Sequence, residues 1–102
     1  MKELDVPPEV MLDNDAIEFV RFWVANNEDH VSLFIGAFDP PEDEPRMWGY
    51  IMADVAKHAV RGMMQDDPGR GTPEELMAQI EAGFFERLKQ NPDLSGMLKG
   101  AN

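Results

Sequence analysis

The chain has 102 residues, no cysteine, and 20 acidic against 9 basic side chains, so its formal net charge is −11. A length of about 100 residues fits one domain, and 43% hydrophobic with 28% charged residues is typical of a globular protein. The missing cysteine excludes disulfide bonds and thiolate chemistry. The acidic balance and the scattered basic residues argue against nucleic acid and membranes as partners, because both attract clustered Lys and Arg.

The N-terminal segment, residues 1–12, is predicted to be an arm, because Pro7-Pro8 disfavours both helix and sheet. Asp13 and Asn14 are residue types that cap helices, and they predict one helical turn that reaches Ile17. The segment lacks the apolar core of a signal peptide. No apolar run in the chain approaches the ~20 residues of a membrane-spanning helix. We therefore expect a cytoplasmic protein.

Residues 18–38 are predicted to form a β-hairpin. Apolar residues between 17 and 24 also have helical spacing, but their aromatic and β-branched side chains favour a strand. A turn centred on Asn27-Glu28 pairs apolar residues along one face of the hairpin. The pairs are Val24 with Val31, Phe22 with Leu33, and Val20 with Ile35. We expect that face to be the core side, since a slip of one residue would reverse both faces.

Two long helices are predicted, over 45–65 and 72–90. Pro45 suits the first turn of the first helix, and Thr72 and Glu75 have the spacing of a capping box at the start of the second. Apolar stripes are expected along both helices, at Trp48, Ile51, Met52, Val55, Ala59 and Met63, and at Met77, Ile80, Phe84 and Leu88. Residues 93–102 are predicted to be a flexible tail.

Together these elements predict an α+β fold in a single domain, residues 1–102. The β-hairpin is expected to pack on the two long antiparallel helices, with an N-terminal arm or short helix before it. Sheet and helices are then segregated along the chain, which is the pattern of α+β rather than α/β proteins.

The titratable side chains predict neither a catalytic site nor a metal site. Asp54 and His58 are four residues apart on the first helix, so they could form a carboxylate–imidazole base. We favour an exposed surface pair, because no nucleophile accompanies them. His30 and Ser32 share a strand face, but no nucleophile-elbow motif surrounds Ser32. Two histidines at unrelated positions lack metal-ligand spacing, and we expect no cofactor and no enzyme activity.

The second face of the hairpin is the most informative feature of the sequence. Aromatic and polar residues are expected there together, and the six are Phe19, Arg21, Trp23, His30, Ser32 and Phe34. The N-terminal arm could cover this face through Val6, Val10 and Leu12. The alternative, which we favour, is a self-association surface with two-fold symmetry, because aromatics and Arg are enriched at interface centres.

Four short motifs carry a family resemblance: Arg21-Phe22-Trp23-Val24, His30-Val31-Ser32-Leu33, Trp48-Gly49 and Asp54-Val55-Ala56-Lys57-His58. They resemble a small bacterial family known only as a domain of unknown function. The resemblance covers residues 18–63 and implies a hairpin followed by helices in a stand-alone soluble protein. It implies no activity, substrate or cofactor, but it adds Trp48, Asp54 and His58 to the candidate binding or interface residues.

Two functions are compatible with these features. The first is a non-enzymatic interaction module that forms a homodimer or binds another protein. The alternative is a small-molecule-binding domain with a pocket between the hairpin and the first long helix. That pocket would be lined by Trp23, His30, Trp48, Tyr50 and His58. The sequence identifies neither the partner nor the ligand.

Overall fold

The computed structural model describes residues 1–90 of the 102-residue chain. These residues fall into two compact units, Met1–Ile35 and a second unit that begins at Gly36. The first contains the hairpin and the second the two long helices, so the predicted α+β class is confirmed. The predicted tail, 93–102, lies outside the described residues, and the single-domain organisation stays a prediction.

The N-terminal arm contains one short helix, α1, at Pro8–Met11. Proline has no N–H, and the first helical position needs none, so Pro8 starts the helix rather than blocking it. The turn predicted after Asp13 forms, but it closes at Ala16 and does not become a helix that reaches Ile17. The Ala16 N–H donates to the Asp13 carbonyl at 3.2 Å. The Asp13 side chain accepts a hydrogen bond from the Asp15 N–H at 2.9 Å, as an N-cap residue does.

The hairpin consists of two antiparallel strands, β1 (Val20–Ala25) and β2 (Glu28–Leu33). Its turn is Asn26-Asn27, with φ values of 56° and 61°. Two residues with positive φ form the type I′ turn that matches strand twist, and asparagine tolerates this conformation. The predicted turn position was therefore wrong by one residue.

The observed register aligns Phe22 with Val31 and Val20 with Leu33. It differs from the predicted register by two positions. Because side chains alternate with period two, this shift keeps each residue on its predicted face. The predicted division of the hairpin into two faces is thus confirmed, although the individual pairs were wrong.

The second strand is shorter than predicted, because it ends at Leu33 instead of continuing to residue 38. One further backbone bond extends the ladder, from the Phe34 N–H to the Phe19 carbonyl at 2.9 Å. Gly36 then adopts φ 92°. A positive φ at this position leaves the strand conformation, and glycine is the residue that adopts it without steric cost.

The second unit contains helices α2 (Glu44–Asp66) and α3 (Pro73–Gln90). Both agree with the predicted helices to within one residue at each described end. A 3₁₀ turn, Pro41–Asp43, leads into α2, and another, Pro68–Arg70, separates the helices. Arg70 closes that connection with an ion pair to Asp66 at 2.8 Å.

The predicted capping box at the start of α3 is confirmed. The Glu75 N–H donates to the Thr72 hydroxyl at 3.1 Å, and the Thr72 N–H donates to the Glu75 carboxylate at 3.2 Å. The two bonds satisfy donors that would otherwise have no partner at a helix N-terminus. Thr72 also accepts the Leu76 N–H through its backbone carbonyl at 3.0 Å.

The two long helices pack around Val60 and Leu76, the buried apolar residues of the described chain. Half-buried residues surround them, namely Ala56, Met63, Met64, Met77 and Ile80. The predicted stripe on α2 is half-buried at Trp48, Ile51 and Met63. It was wrong at Met52, Val55 and Ala59, which are exposed, Val55 by 54%. Burial follows the 56, 60, 63/64 spacing, which is also helical, so periodicity alone does not distinguish the two stripes.

The capping box generates the first prediction. Replacing Thr72 by Ala removes the hydroxyl acceptor, and we expect the free energy of unfolding to fall by about 1 kcal/mol. Thr72→Ser keeps the hydroxyl acceptor, so its free energy of unfolding should differ from that of the parent protein by only about a few tenths of a kcal/mol. Urea unfolding followed by circular dichroism measures both variants. Equal losses in the two would show that the methyl group, and not the cap, is responsible.

Candidate interaction surface

One face of the hairpin is almost entirely apolar. We call this the apolar face, and its strand residues are Val20, Phe22, Val24, Val31 and Leu33. Asp29, opposite Val24, contributes the charge at its turn end. Sequence alternation predicts that this face is buried, but Phe22 is 61% exposed and Val24 is 67% exposed. The prediction of a buried core face was therefore wrong for these two residues.

The exposed apolar surface continues past the end of β2, where Ile35 is 63% exposed. The other three strand residues of the apolar face are half-buried. Exposed single hydrophobic residues are common on proteins, but a contiguous group on one sheet face marks an interaction site. The apolar face is the strongest candidate surface in the first unit.

The opposite face carries the six hairpin residues that the sequence identifies as a candidate interface. The register places them together: Arg21 lies opposite Ser32, Trp23 lies opposite His30, and the Phe19 and Phe34 rings are 6.3 Å apart. Trp23 and Phe19 are half-buried, whereas Phe34 is 45% exposed.

The N-terminal arm lies beside β1. A cavity of about 540 Å³ separates the two, and its lining includes Val6, Val10 and Trp23 together with Val20 and Phe22 of the apolar face. Leu12 is 86% exposed and makes no such contact. The arm therefore approaches Trp23 through two of the three residues that the sequence suggests for that role.

Arg21 is held by two carboxylates on this face. Its guanidinium donates to Glu18 at 2.6 and 3.1 Å, and Glu3 of the arm lies 3.9 Å away. The Arg21 hydrogen bonds stabilise the ionised carboxylate and so lower the pKa of Glu18 below its ordinary value. The same bonds raise the pKa of Arg21.

His30 has a structural role in the hairpin. Its Nε2 lies 3.2 Å from the Ala25 carbonyl oxygen. A carbonyl only accepts hydrogen bonds, so Nε2 is the donor and the ring stabilises the turn end of the two strands. His30 and Ser32 share a face, but they form no hydrogen bond with each other among the residues described.

The remaining predicted site residues lie on α2, in the second unit. Trp48 donates its indole N–H to Glu44 at 2.9 Å. Asp54 and His58 are both exposed. Within residues 1–90 no hydrogen bond or ion pair joins these two side chains. The carboxylate–imidazole base that their spacing allows is therefore not formed, and both side chains are exposed, as the favoured interpretation expects.

Sequence analysis missed the role of Glu44. Its carboxylate accepts the Gly36 N–H at 3.0 and 3.2 Å as well as the Trp48 indole N–H. It thereby ties the segment before α2 to the first turn of the helix. The sequence signals only the bond to Trp48, because Glu44 and Trp48 are four residues apart and so share a helix face.

A second exposed apolar group was also missed, towards the end of α3. Phe84 is 52% exposed, Phe85 is 59% exposed, and their rings meet edge to face with centroids 5.5 Å apart. Phe84 was predicted to belong to the inner stripe. Its exposure shows that the core formed by Val60 and Leu76 does not extend this far along α3.

The described part of the chain contains no cluster of three or more His, Asp or Glu side chains arranged to hold a metal ion. Neither α2 nor α3 carries the continuous apolar stretch that a membrane-crossing helix requires, within residues 1–90. The chemistry that the hairpin does offer is apolar contact and unpaired strand edges.

A family model described as "Domain of unknown function (DUF5076)" matches residues 3–91 of the chain. The chain belongs to the DUF5076 family. The resemblance deduced from residues 18–63 is thereby confirmed and extended to both units of the protein. No curated protein matches the chain.

A solved structure resembles this DUF5076 protein throughout most of its length. It is described as a "putative pyruvate dehydrogenase" from the photosynthetic bacterium Rhodopseudomonas palustrus CGA009. The two sequences are 30% identical, the match covers 91% of this chain and 88% of the other, and the TM-score is 0.66. The shared fold therefore extends well beyond the hairpin.

The Arg21–Glu18 contact generates the second prediction. Because the pKa of Glu18 is lowered in the folded protein, the contact contributes stability above the ordinary pKa of glutamate. That contribution is lost as the pH falls through the lowered value. In a carbon-13 NMR titration, Arg21→Gln should raise the Glu18 midpoint towards the ordinary value. Arg21→Lys, which keeps the charge without the forked donor, should fall between the two, and an unchanged midpoint in Arg21→Gln would contradict the assignment.

Proposed function

We propose that this DUF5076 protein is a non-enzymatic self-associating module, which forms a homodimer through the apolar face of its hairpin. The observation that carries the proposal is the exposure of Phe22, Val24 and Ile35, at 61%, 67% and 63%. Two of the five apolar strand residues of this face, and Ile35 just beyond them, are therefore mostly exposed to solvent. Such a pattern is typical of a surface that another protein covers.

The energy available at this surface supports association. Covering the exposed part of Phe22 alone would contribute about 1–2 kcal/mol in each protomer, on the usual scale for aromatic and aliphatic burial. In a two-fold interface the same residue is buried in both protomers. Val24 and Ile35 therefore contribute comparable free energies on each side of the interface. The sum must also offset the entropy of association, which explains why several residues are needed.

The stability of the hairpin itself is a second argument. A two-stranded sheet alone is marginal in water, and independent stability requires more strands or a covered face. In the described part of the chain, β1 and β2 form a two-stranded sheet. A partner on the apolar face would provide the missing cover.

A second copy is the partner that this surface fits best. The apolar face has one charged strand residue, Asp29, in a protein whose net charge is −11. A basic partner would be attracted to the acidic remainder of the surface instead. A second copy offers an equally apolar patch, and isologous pairing makes one patch complementary to itself.

The activity named for the Rhodopseudomonas relative does not enter this proposal. Apart from Asp29, the residues of the apolar face carry no side chain that exchanges a proton or binds a carboxylate substrate. The bacterial origin of that relative and the absence of cysteine in this chain support a bacterial cytoplasm as the setting. The small-molecule alternative remains a separate prediction, since its residues are divided between the two units.

A charge on the apolar face provides the third prediction. Phe22→Glu places a carboxylate in the proposed interface, and we expect it to convert the dimer to a monomer in light scattering behind a sizing column. Ser32→Glu is the matched control, because it adds the same charge opposite Arg21 on the other face. It should leave the dimer intact.

The opposite result would also be informative. A dimer lost in Ser32→Glu but kept in Phe22→Glu would place the interface on the face of Trp23 and His30. If Phe22→Glu loses its folded structure in circular dichroism, Val24→Thr is the substitute, since threonine keeps the shape and strand preference of valine. Dimer dissociation constants should then rise several-fold, and a monomeric parent protein would end the proposal.

Salt dependence provides the fourth prediction. Two copies that each carry a net charge of −11 repel one another at long range. Raising the ionic strength from roughly 50 mM to about 500 mM screens that repulsion and also favours apolar contact. Sedimentation equilibrium should therefore show a tighter dimer at high salt. Weaker association at high salt would indicate an interface held by opposite charges.

A further inference from the structure

The free edge of β2 has a defined pattern of unpaired backbone groups. In an antiparallel pair, alternate residues bond to the neighbouring strand, and those between them direct their N–H and C=O groups outward. The bond from the Phe34 N–H to the Phe19 carbonyl fixes this alternation. Residues 28, 30, 32 and 34 therefore bond towards β1, and Asp29, Val31 and Leu33 direct theirs to the open edge.

These three residues are centred on Val31. Within the described residues, the sheet ends at β2, so no strand of the same chain pairs with this edge. An exposed strand edge is a template for another strand, and proteins usually cover such an edge or make it unsuitable for pairing. Here the backbone N–H and C=O groups of three alternate residues, Asp29, Val31 and Leu33, are available to pair with another strand.

We propose that β2 pairs antiparallel with β2 of a second copy, with Val31 on the two-fold axis. The inference rests on the proposed self-association and places a contact at the β2 edge, beside the apolar face rather than over it. Val31 exchanges two backbone hydrogen bonds with the partner's Val31, and Asp29 and Leu33 each exchange two with the partner's Leu33 and Asp29. The two hairpins become one four-stranded sheet with a continuous apolar face.

This register is the one that keeps the faces aligned and uses the whole strand. A slip of one residue would place the apolar face of one hairpin beside the polar face of the other. A slip of two would pair β2 either with the Asn27 turn, where φ is 61°, or with Ile35, beyond the strand end and next to Gly36 at φ 92°. Pairing centred on Val31 avoids both.

The charges also favour this arrangement. Asp29 lies opposite the partner's Leu33, so the two Asp29 residues are at opposite ends of the pairing. Four residues of strand separate them, a distance of about 13 Å. That exceeds the Debye length of about 8 Å at physiological ionic strength. An acidic chain can therefore pair with itself here without placing like charges side by side.

Single-cysteine variants test the register, because the natural chain has no cysteine. In Val31→Cys the two Cα atoms would lie about 5.5 Å apart, within the range that a disulfide bridges. In Leu33→Cys they would lie about 13 Å apart, which is too far. Mild oxidation should give roughly tenfold more covalent dimer for Val31→Cys than for Leu33→Cys. Equal yields, or more from Leu33→Cys, would overturn the register.

Hydrogen exchange of the unmodified protein provides the second measurement. At concentrations where light scattering shows a dimer, the Asp29, Val31 and Leu33 amides should exchange more slowly than after dilution to monomer. The His30 and Ser32 amides, which bond to β1, serve as the control and should change much less. A dimer without protection of the three amides would retain the proposed function and overturn the strand pairing. A monomer at all concentrations would overturn both.

Discussion

The two-asparagine turn is the constraint on which the geometry of the first unit depends. Asn26 and Asn27 both adopt positive φ, so the strands close with two residues and one register. That register decides which residues alternate onto each face and which backbone groups point outward. The pairing of Phe22 with Val31, the pairing of Trp23 with His30 and the outward direction of the Val31 backbone groups all follow from the same turn.

The two units bury little apolar surface, and different interactions stabilise each of them. In the second unit, three features lie close to the connection between the helices. They are the capping box, the Asp66–Arg70 ion pair and the buried side chain of Val60. Local bonds and apolar burial therefore reinforce each other at one end of the pair. In the first, local hydrogen bonds define the hairpin, but Phe22 and Val24 of its apolar face remain mostly exposed. The hairpin therefore has a defined backbone without full burial of its apolar side chains.

Sequence reasoning succeeded where one interaction is local and failed where two distant segments compete. Thr72 and Glu75 identified the α3 cap because both partners lie within one turn. Proline and acidic residues located the start of α2 for the same reason. The division of the hairpin into two faces survived a misplaced turn, since alternation is insensitive to a shift of two residues. Local chemistry, in other words, was sufficient for boundaries and faces.

The burial of each face was not predictable in the same way. Alternation indicates that Phe22 and Val24 share a side, but it does not say whether that side is covered within one chain. The error in the predicted stripe on α2 has the same origin, because Val55 and Val60 both fit a helical period and only the position of α3 selects between them. The role of Glu44 required the loop at Gly36 to return to the helix, which no spacing rule describes. These are long-range facts, and single-sequence patterns contain little information about them.

The edge of β2 connects these observations. An acidic chain is generally protected from self-association by its charge, yet the charges of this hairpin are confined to the turn and to the face of Arg21. The side chains near the outward backbone groups of Val31 are those of Val20, Phe22 and Leu33. These side chains carry no charge, so they do not repel a second copy of the chain. The same alternation that exposes the apolar face also directs free backbone bonds to the edge beside it. A strand added at that edge would satisfy those bonds and bring Val31 and Leu33 beside the apolar residues of the partner's β2. The enlarged apolar face would still leave Phe22 and Val24 of each copy available for a second, face-to-face contact.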